Sequence, residues 1–363
     1  MKQEKKSGRK PTGRVRLADI AKHCNLSIST VSRVISNRTD QFPIAEDTIE
    51  RIHQTARELG YRPNRLARAI AYQKTNLIGL SVPHYKTREN CSFEEETYLL
   101  AKVFGLLSSG VLDNPKMLDY DLVIHDRQKF SGSSQDYYHS QDGLLDGIIY
   151  NNPSKNSIPF ITETARTIPV VIIGSIPEVE SQFISVDIDN RAAVRSCVKH
   201  LYDIGCKKPL VLIPEELKKF FCITDRLDGY IEAFKDYGYS TSEENIYSVK
   251  QNPDAVHSLL AGIKNIRKYD AIIAPFDELI FYCIDPLKEL GIRIPQDIAL
   301  IGFDDSDRCL SSTPRLTSIR TPFHALGFKA TDLLIDILNG KQLYIPGKHT
   351  IETELIIRES TQR

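Results

Sequence analysis

Residues 15–36 read VRLADIAKHCNLSISTVSRVIS, and this stretch decides the fold of the first part of the chain. Its apolar residues recur at helical spacing on both sides of Asn25-Leu26-Ser27, where Ser27 is suited to cap a second helix. A third helical pattern, over residues 49–59, is followed by Gly60. Two short helices joined by a three-residue turn and braced by a third form a helix-turn-helix unit.

The second predicted helix has an outer face that suits the major groove of DNA. Its residues are short or basic, so the helix can approach base edges closely. They are Ile28, Ser29, Ser32 and Arg33. Four basic residues elsewhere in the unit are candidates for phosphate contacts, namely Lys22, Arg38, Arg51 and Arg57. Composition alone leaves a generic three-helix bundle with charged outer faces as the alternative.

Charge divides the chain near Lys74. Residues 1–74 contain 16 lysines and arginines against 7 acidic residues, whereas the rest of the chain contains 31 against 40. A basic unit ahead of an acidic one is expected if only the first contacts a polyanion. Within the basic unit, residues 1–14 are interpreted as a disordered arm that adds nonspecific affinity for phosphates.

Residues 63–75 are interpreted as a hinge helix and linker. Pro63 ends the preceding element, and Asn64 is suited to cap a helix of about eight residues that reaches Ala71. A helix this short is marginal in water without a partner. We therefore expect it to fold only when two copies pair on DNA.

The pattern after Lys74 changes to short apolar runs that alternate with amphipathic stretches. The predicted strands are 77–82, 122–124, 147–150, 170–173, 210–213, 246–249, 271–274 and 299–303. The predicted helices are 93–107, 190–204, 226–237, 254–266 and 278–290. This alternation predicts parallel, doubly wound α/β sheets, and a length of about 285 residues favours two lobes.

Three segments together resemble the LacI/GalR family of transcriptional regulators. They are residues 15–36, TIERIHQTARELGYRPNRLARAI at 48–70, and NLIGLSV at 76–82. They are similar to that family's DNA-binding headpiece, hinge and first core strand. The resemblance implies that the second helix enters the major groove. It also implies that the hinge helix lies in the minor groove at the centre of the operator.

Position in these motifs assigns DNA contacts to individual residues. Base reading falls to Ile28, Ser29 and Arg33, with Ser32 on the same face, and backbone contacts fall to Ser27, Thr30 and Lys22. In the hinge, the resemblance implies that Ile70 is an apolar wedge between base pairs. The other hinge residues carried over are Asn64, Arg68 and Ala71.

The rest of the chain is similar to that family's effector-binding core, which resembles type I periplasmic sugar-binding proteins. The motifs include DRLDGYIEAF at 225–234 and LKELGIRIPQDIALIGFDD at 287–305. The resemblance implies two lobes joined by three crossovers, near 189–190, 321–322 and 349–350, with the ligand between the lobes. It places Arg226 and Asp304 on either side of the cleft, where they hydrogen-bond the effector. A guanidinium and a carboxylate suit a polyhydroxylated ligand.

Two aromatic residues complete the predicted effector site. Phe276 stands where a polar Asn is common in the family and is the best candidate for stacking on a sugar, since the chain contains no tryptophan. Phe220 precedes Arg226 where other members supply a polar contact. The ligand therefore cannot be assigned from relatives.

The predicted organisation is a small all-α helix-turn-helix domain followed by α/β in two doubly wound, parallel-sheet lobes. The boundaries are 1–14 for the arm, 15–62 for the helix-turn-helix domain, 63–75 for the hinge and linker, and 76–363 for the core. In the core, the first lobe comprises about 76–189 and 322–349, and the second about 190–321 and 350–363.

Several function classes are excluded or disfavoured by what the sequence lacks. There is no apolar run long enough for a membrane span and no secretory signal, so a cytoplasmic protein is expected. Seven scattered cysteines without a CxxC pair argue against disulfides or structural zinc. There is no GxGxxG, P-loop, GxSxG or HExxH motif, and the pairs Asp304-Asp305 and Asp187/Asp189 are explained as solvated loop ends. An enzyme is therefore not expected, and neither is a cofactor.

The expected function is that of a ligand-responsive transcriptional regulator, a repressor acting as a homodimer on a near-palindromic operator. One headpiece contacts too few bases to be selective, whereas two copies read matching half-sites. The expected effector is a sugar or sugar derivative. A DNA-binding regulator without an effector and a solute-binding protein are the alternatives.

Overall fold

The computed structural model describes residues 15–36, 43–62, 69, 73–82, 93–126, 143–241 and 245–363. The chain divides into two compact units, Met1–Thr75 and Asn76–Arg363. The predicted arm of residues 1–14 and nearly all of the predicted hinge helix lie outside the described residues.

Within residues 15–36 and 43–62, the first unit contains three helices: α1 (Leu17–Cys24), α2 (Ile28–Ile35) and α3 (Glu46–Glu58). Asn25 adopts a left-handed conformation, with φ of 50°, and ends α1. The turn then leads directly into α2 at Ser27. The small core contains seven buried apolar residues contributed by all three helices, namely Ile20, Ala21, Cys24, Val31, Val34, Ile52 and Ala56. The helix-turn-helix prediction is confirmed.

The first lobe of the second unit is a six-stranded sheet in the order β11-β5-β4-β3-β1-β2. Its strands are β1 (Leu77–Val82), β2 (Asp121–Asp126), β3 (Gly147–Asn151), β4 (Val170–Ile173), β5 (Ile184–Ile188) and β11 (Gly347–Ile351). Every neighbouring pair in this sheet is parallel. The helices of this lobe are α4 (Phe93–Leu112), α5 (Ile158–Thr164) and α11 (Phe323–Leu338).

The second lobe repeats this arrangement with the strand order β12-β10-β9-β8-β6-β7. The strands are β6 (Pro209–Pro214), β7 (Ile246–Val249), β8 (Ala271–Ile273), β9 (Ala299–Phe303), β10 (Thr317–Arg320) and β12 (Glu354–Ile356). Only β12 is antiparallel to its neighbour. The helices are α6 (Asn190–Asp203), α7 (Phe221–Asp236), α8 (Pro253–Gly262), α9 (Asp277–Glu289) and the short α10 (Arg308–Ser311). The predicted fold class is confirmed.

The chain passes between the lobes three times. The first passage joins β5 to α6, and the second joins β10 to α11. The third comes at residues 352–353, a few residues beyond the predicted position at 349–350. The reason is that β11 stays in register with β5 as far as the pairs Thr350–Asp187 and Ile351–Ile188.

Sequence patterns missed several elements of the core. The strand β5 was not predicted because Ser185 and Asp187 interrupt its apolar run, although both are buried. The strands β10, β11 and β12 and the helix α11 were also not predicted. The helix α7 begins at Phe221, five residues before the predicted start, and its N-cap residue Phe220 has no side-chain acceptor that would signal a start.

Two glycines allow α4 and α11 to approach closely. A Cβ atom on Gly327 would lie 2.2 Å from the carbonyl oxygen of Leu107, and one on Gly110 would lie 2.0 Å from that of His324. Each added methyl would therefore meet backbone that cannot rotate away. The absence of side chains at these two positions determines how closely the helices pack in the first lobe.

The close approach predicts opposite effects for two alanine substitutions in the first lobe. Gly327→Ala should lower the free energy of unfolding by ~1–3 kcal/mol, since it overpacks the helix contact. Gly105→Ala is the matched control, because a Cβ on that helical residue would meet nothing within 4 Å. It should instead raise stability by ~0.5–1 kcal/mol. Urea denaturation of the full chain measures both, and a Gly327→Ala protein as stable as the wild type would contradict the packing argument.

Candidate functional site

The helix α2 separates a buried face from an exposed one. Val31 and Val34 are buried in the three-helix core. On the opposite face Ile28 is 54% exposed, and Ser29 and Arg33 are exposed as well. An exposed isoleucine beside small and basic side chains forms a surface that can contact both apolar and polar base edges. The predicted base-reading residues therefore share one accessible face.

Ser27 fixes the start of α2. Its Oγ accepts a hydrogen bond from the backbone N–H of Thr30 at 3.1 Å. The same Oγ lies 2.7 Å from the hydroxyls of both Ser29 and Thr30. This N-cap satisfies one of the free N–H groups of the helix and orders three side chains at its tip. Ser32, by comparison, is half-buried along the helix.

The basic residues predicted to contact phosphates have different surroundings. Lys22 and Arg57 are exposed. Arg51 donates from Nη2 to the carbonyl oxygen of Cys24 at 3.4 Å, so it also links α3 to the end of α1. Arg38 lies outside the described residues, and so do the hinge residues Asn64, Arg68, Ile70 and Ala71.

In the second unit, the side chain of Arg226 is buried at the cleft between the two lobes. Its Nε donates to Asn190 Oδ1 at 2.9 Å, and its Nη1 donates to the carbonyl oxygen of Pro275 at 2.5 Å. The guanidinium carbon lies 3.5 Å from the centre of the Phe303 ring, which is within the range of a cation–π contact. Arg226 Nη2 and Asp304 Oδ1 are 3.7 Å apart. The structure thus brings the two predicted effector residues together, but both lie in the second lobe, on α7 and directly after β9, so the expectation that they stand on either side of the cleft is wrong.

Asp304 is held in a conformation that is rare for a residue with a side chain. Its φ is 98°, and that of the next residue, Asp305, is 51°. Thr321, at the second passage between lobes, donates its hydroxyl to Asp304 Oδ1 at 2.8 Å. Burial raises the pKa of the Asp304 carboxyl, and the neighbouring Arg226 acts in the opposite direction. The strained turn therefore points a buried carboxylate toward a buried guanidinium.

A third carboxylate, Asp277, supports this turn and was not singled out from the sequence. Its Oδ2 accepts from the backbone N–H of Ser306 at 2.7 Å, and its Oδ1 accepts from the hydroxyl of Ser318 at 2.5 Å. Gly302 makes room for it, since a Cβ there would lie 2.2 Å from Asp277 Oδ1. The signal available in the sequence was an Asp that follows a buried strand beside Phe276.

The two predicted aromatic residues are both buried. Phe276 packs in the apolar core of the second lobe, one residue before α9. Phe220 forms an isolated antiparallel bridge with Ser154 of the first lobe. Two further contacts cross the cleft: Cys222 Sγ donates to Asn152 Oδ1 at 3.4 Å, and Lys102 Nζ lies 2.8 Å from Asp307 Oδ1. Phe220 thus lies where the two lobes meet.

Metal and thiol chemistry have little support in the described part of the chain. No group of three or more His, Cys, Asp or Glu residues there could hold a metal ion. The six cysteines described are free, and burial raises the thiol pKa of Cys222 to about 11. Among the described helices, none combines the length and the apolar character that crossing a membrane requires.

Comparison with protein families matches both units separately. Residues 16–64 match the model of bacterial regulatory proteins of the lacI family. Residues 198–361 match the model of a periplasmic binding protein-like domain. The first match covers the helix-turn-helix, and the second covers most of the second lobe together with α11 and β11 of the first.

Individual relatives match nearly the whole chain. The HTH-type transcriptional regulator RegA of Clostridium saccharobutylicum is 26% identical over 350 residues, which cover 95% of this chain and 98% of RegA. A lac repressor dimer bound to operator and the anti-inducer ONPF has a TM-score of 0.76 at 20% identity, with 96% and 99% of the chains covered. The regulator CelR in complex with cellobiose has a TM-score of 0.64 at 23% identity, with 96% and 100% covered.

These two structural likenesses show the fold. Together with the two family matches and the full-length relative, they identify the class of protein, a helix-turn-helix domain joined to a periplasmic-binding-protein-like core. The chain thus combines a lacI-type DNA-binding domain with a periplasmic-binding-protein-like domain, and it is similar along nearly its whole length to RegA, a transcriptional regulator.

The buried Asp277 predicts a specific pH dependence of stability. Burial raises the pKa of this carboxyl from 3.8 to about 7, although the Ser306 N–H and the Ser318 hydroxyl lower it. Between those two values the folded protein keeps a proton that the unfolded chain has released. The contribution of Asp277 to the free energy of unfolding therefore falls as pH rises from about 4 to about 7 and is constant above that range.

Asp277→Asn should remove this contribution. Wild type and variant should then differ in the slope of unfolding free energy against pH between about pH 4 and 7, with the variant showing the flatter decline. Asp297→Asn is the control. Arg293 lowers the pKa of that half-buried carboxyl, so Asp297→Asn should lower stability by a constant amount above about pH 4 and should change the slope only below that pH. Identical slopes in wild type and Asp277→Asn would refute the assignment.

Proposed function

We propose that this protein is a sequence-specific DNA-binding transcriptional regulator whose operator affinity is controlled by a small molecule bound between the lobes of the core. Repression of the genes beside the operator is the proposed outcome. The proposal rests on one observation above all: a helix-turn-helix with an accessible recognition face and a two-lobed core with Arg226 and Asp304 together in the cleft occur in a single chain.

The first unit supports DNA binding through shape and charge. Ile28, Ser29 and Arg33 share the exposed face of α2, and the N-cap at Ser27 keeps the tip of the helix ordered. Residues 1–74 carry an excess of positive charge, which attracts the phosphate backbone. Base reading by Ile28, Ser29, Ser32 and Arg33, and phosphate contacts by Ser27, Thr30 and Lys22, are the proposed roles.

A homodimer on a near-palindromic operator follows from the size of the DNA-binding unit. A single recognition helix contacts only a few base pairs, and two copies related by a two-fold axis read two half-sites. The lac repressor, a dimer in its operator complex, has the same fold as this chain. In the proposed dimer, the hinge residues Asn64, Arg68, Ile70 and Ala71 contact the minor groove at the centre of the operator. The protein acts in the cytoplasm, together with the DNA it binds.

The cleft supports a polyhydroxylated effector. The N–H groups of Arg226 and the oxygens of Asp304 present donors and acceptors within 3.7 Å of each other. The fold neighbour CelR is described in complex with cellobiose, which is a sugar. We infer that the effector is a sugar or a sugar derivative. Phe276 and Phe220, both buried beside the residues that line the cleft, are the proposed apolar contacts.

Selection from a random duplex library tests the function as a whole. The full-length protein should enrich a near-palindromic site, and its affinity for that site should change in the presence of cellobiose, maltose or ribose. If no sequence is enriched over random duplex, the DNA-binding proposal is wrong. If a site is enriched but no sugar alters its affinity, the regulator has no sugar effector.

Arg33→Ala tests base reading by α2. Arginine commonly contacts guanine O6 and N7 in pairs, so the substitution should weaken binding to the selected site by ~1–3 kcal/mol. Binding to random duplex should be nearly unchanged. Lys22→Ala, at an exposed residue of α1, is the control and should weaken both duplexes alike. Equal weakening of the two duplexes by Arg33→Ala would exclude a base-reading role.

Asp304→Asn tests the effector site with the smallest change in shape. Asparagine tolerates positive φ, so the turn should persist, whereas the charge that faces Arg226 is lost. The response of operator affinity to an active sugar should fall at least about tenfold, since hydrogen bonds to a charged group are the stronger ones. Operator affinity without sugar should stay as in the wild type. An unchanged sugar response, measured by titration of the protein–operator complex, would overturn the assignment.

A further inference from the structure

Two buried polar side chains at the start of the second lobe's first helix lack a full set of partners. Asp187, near the end of β5, has a side chain that is 8% exposed, and Asn190, the first residue of α6, is 1% exposed. Asp187 Oδ1 accepts from the backbone N–H of Ile188 at 2.8 Å, whereas no donor lies within hydrogen-bond distance of its Oδ2. Burial raises the pKa of this carboxyl, and Lys348, the Ile188 N–H, Arg226 and the Ser175 hydroxyl act in the opposite direction. Asn190 Oδ1 accepts from Arg226, but its Nδ2 donates to no group.

Both side chains belong to the cleft. They lie at the carboxyl end of a parallel strand and at the first passage between lobes, where open α/β sheets bind ligands. Asn190 is bonded directly to Arg226, and the charge of Arg226 also acts on Asp187. Asn190, Arg226 and Asp304 are therefore joined by direct contacts, and Asp187 lies three residues before Asn190 at the same passage between lobes.

Among the described residues, the two basic side chains beside Asp187 and Asp304 are each already paired with a carboxylate. Lys348 Nζ on β11 lies 3.6 Å from Asp187 Oδ2, which is an ion pair but longer than a hydrogen bond. Arg226 faces Asp304 at 3.7 Å. Each cation thus has its own carboxylate. A ligand that carries a negative charge would meet two carboxylates without an unpaired cation to compensate them.

We propose that Asp187 and Asn190 form a specificity-determining subsite that binds a hydroxyl group of an uncharged sugar and rejects phosphorylated sugars. The inference rests on the proposed function, because it assigns a ligand class to the same cleft. A hydroxyl accepts one hydrogen bond and donates another. It therefore satisfies Asn190 Nδ2 and Asp187 Oδ2 at the same time.

A phosphate group cannot replace the hydroxyl in this position. An ionised phosphate oxygen accepts hydrogen bonds but has no proton to donate to Asp187 Oδ2. Its charge is also repelled by the buried carboxylate, in surroundings where water cannot screen the repulsion. Lys348 does not compensate the phosphate charge, because its ammonium group is paired with Asp187. Discrimination against phosphate thus arises from an acceptor, Asp187 Oδ2, that is left without a donor and from charge repulsion.

Calorimetric titration of the full-length protein tests this subsite. The probes are ribose, glucose, maltose and cellobiose, together with ribose 5-phosphate, glucose 6-phosphate and inorganic phosphate. The wild type should bind at least one uncharged sugar and should bind the phosphorylated probes at least about 100-fold more weakly. Asp187→Asn should weaken binding of the sugar at least about tenfold, because it replaces a charged acceptor by a neutral amide.

The ratio between the two classes of probe is the more specific measurement. Asp187→Asn frees Lys348 to face an anion, so the preference for the uncharged sugar should shrink at least about tenfold. Asp203→Asn is the matched control, because it removes an exposed carboxylate of α6 that pairs with Lys199 outside the cleft. It should change neither the affinity nor the ratio.

The outcomes separate this inference from the proposed function. Tighter binding of a phosphorylated probe than of any uncharged sugar, or an unchanged affinity and ratio in Asp187→Asn, would overturn the subsite while leaving the effector cleft in place. If Asp304→Asn removes binding and Asp187→Asn does not, the subsite assignment is also wrong. If no probe binds the wild type at all, both the subsite and the sugar effector are contradicted.

Discussion

The buried guanidinium of Arg226 is the group on which the organisation of the core depends. A buried charge is costly unless the charged group is itself paired and hydrogen-bonded. Arg226 meets this requirement through Asn190 at the first passage between lobes, the carbonyl of Pro275 before α9, and Asp304 after β9, while Phe303 covers its face. One side chain thus joins three loops that are far apart in the sequence. A ligand that enters the cleft therefore meets an arginine whose guanidinium group already has these partners.

The turn at Asp304 shows how the fold maintains an unfavourable conformation. Two consecutive residues with positive φ cost free energy and persist only when the surroundings hold them. Asp277 stabilises the turn, because its carboxyl oxygens accept hydrogen bonds from Ser306, which follows the turn, and from Ser318 on the neighbouring strand β10. The site therefore depends on a buried carboxylate that does not itself face Arg226. A substitution there should disturb the geometry of the site as well as its stability.

The first unit has a much smaller hydrophobic core than the second. Three helices bury only seven apolar side chains completely, so the unit has little hydrophobic stabilisation to spare. The N-cap at Ser27 and the left-handed Asn25 therefore matter for keeping α2 in place. They allow Ile28, an apolar residue that is 54% exposed, to remain at the surface.

Periodicity, turn residues and charge in the sequence determined the helix-turn-helix and the parallel two-lobed core, and the family resemblance singled out Arg226 and Asp304, whose direct pairing is shown only by the structure. Those features arise from local patterns and from motifs that survive in a single chain. The buried strand β5, the support from Asp277 and the unmet atoms of Asp187 and Asn190 were decided only by the tertiary structure. A polar residue in a sequence has the same appearance whether it is solvated or buried. The prediction of solvated loop ends is therefore wrong for Asp187 and for Asp305, whose side chains are 8% and 7% exposed. Their burial depends on strands and helices that come from other parts of the chain, and only the folded arrangement shows which polar groups lack a partner.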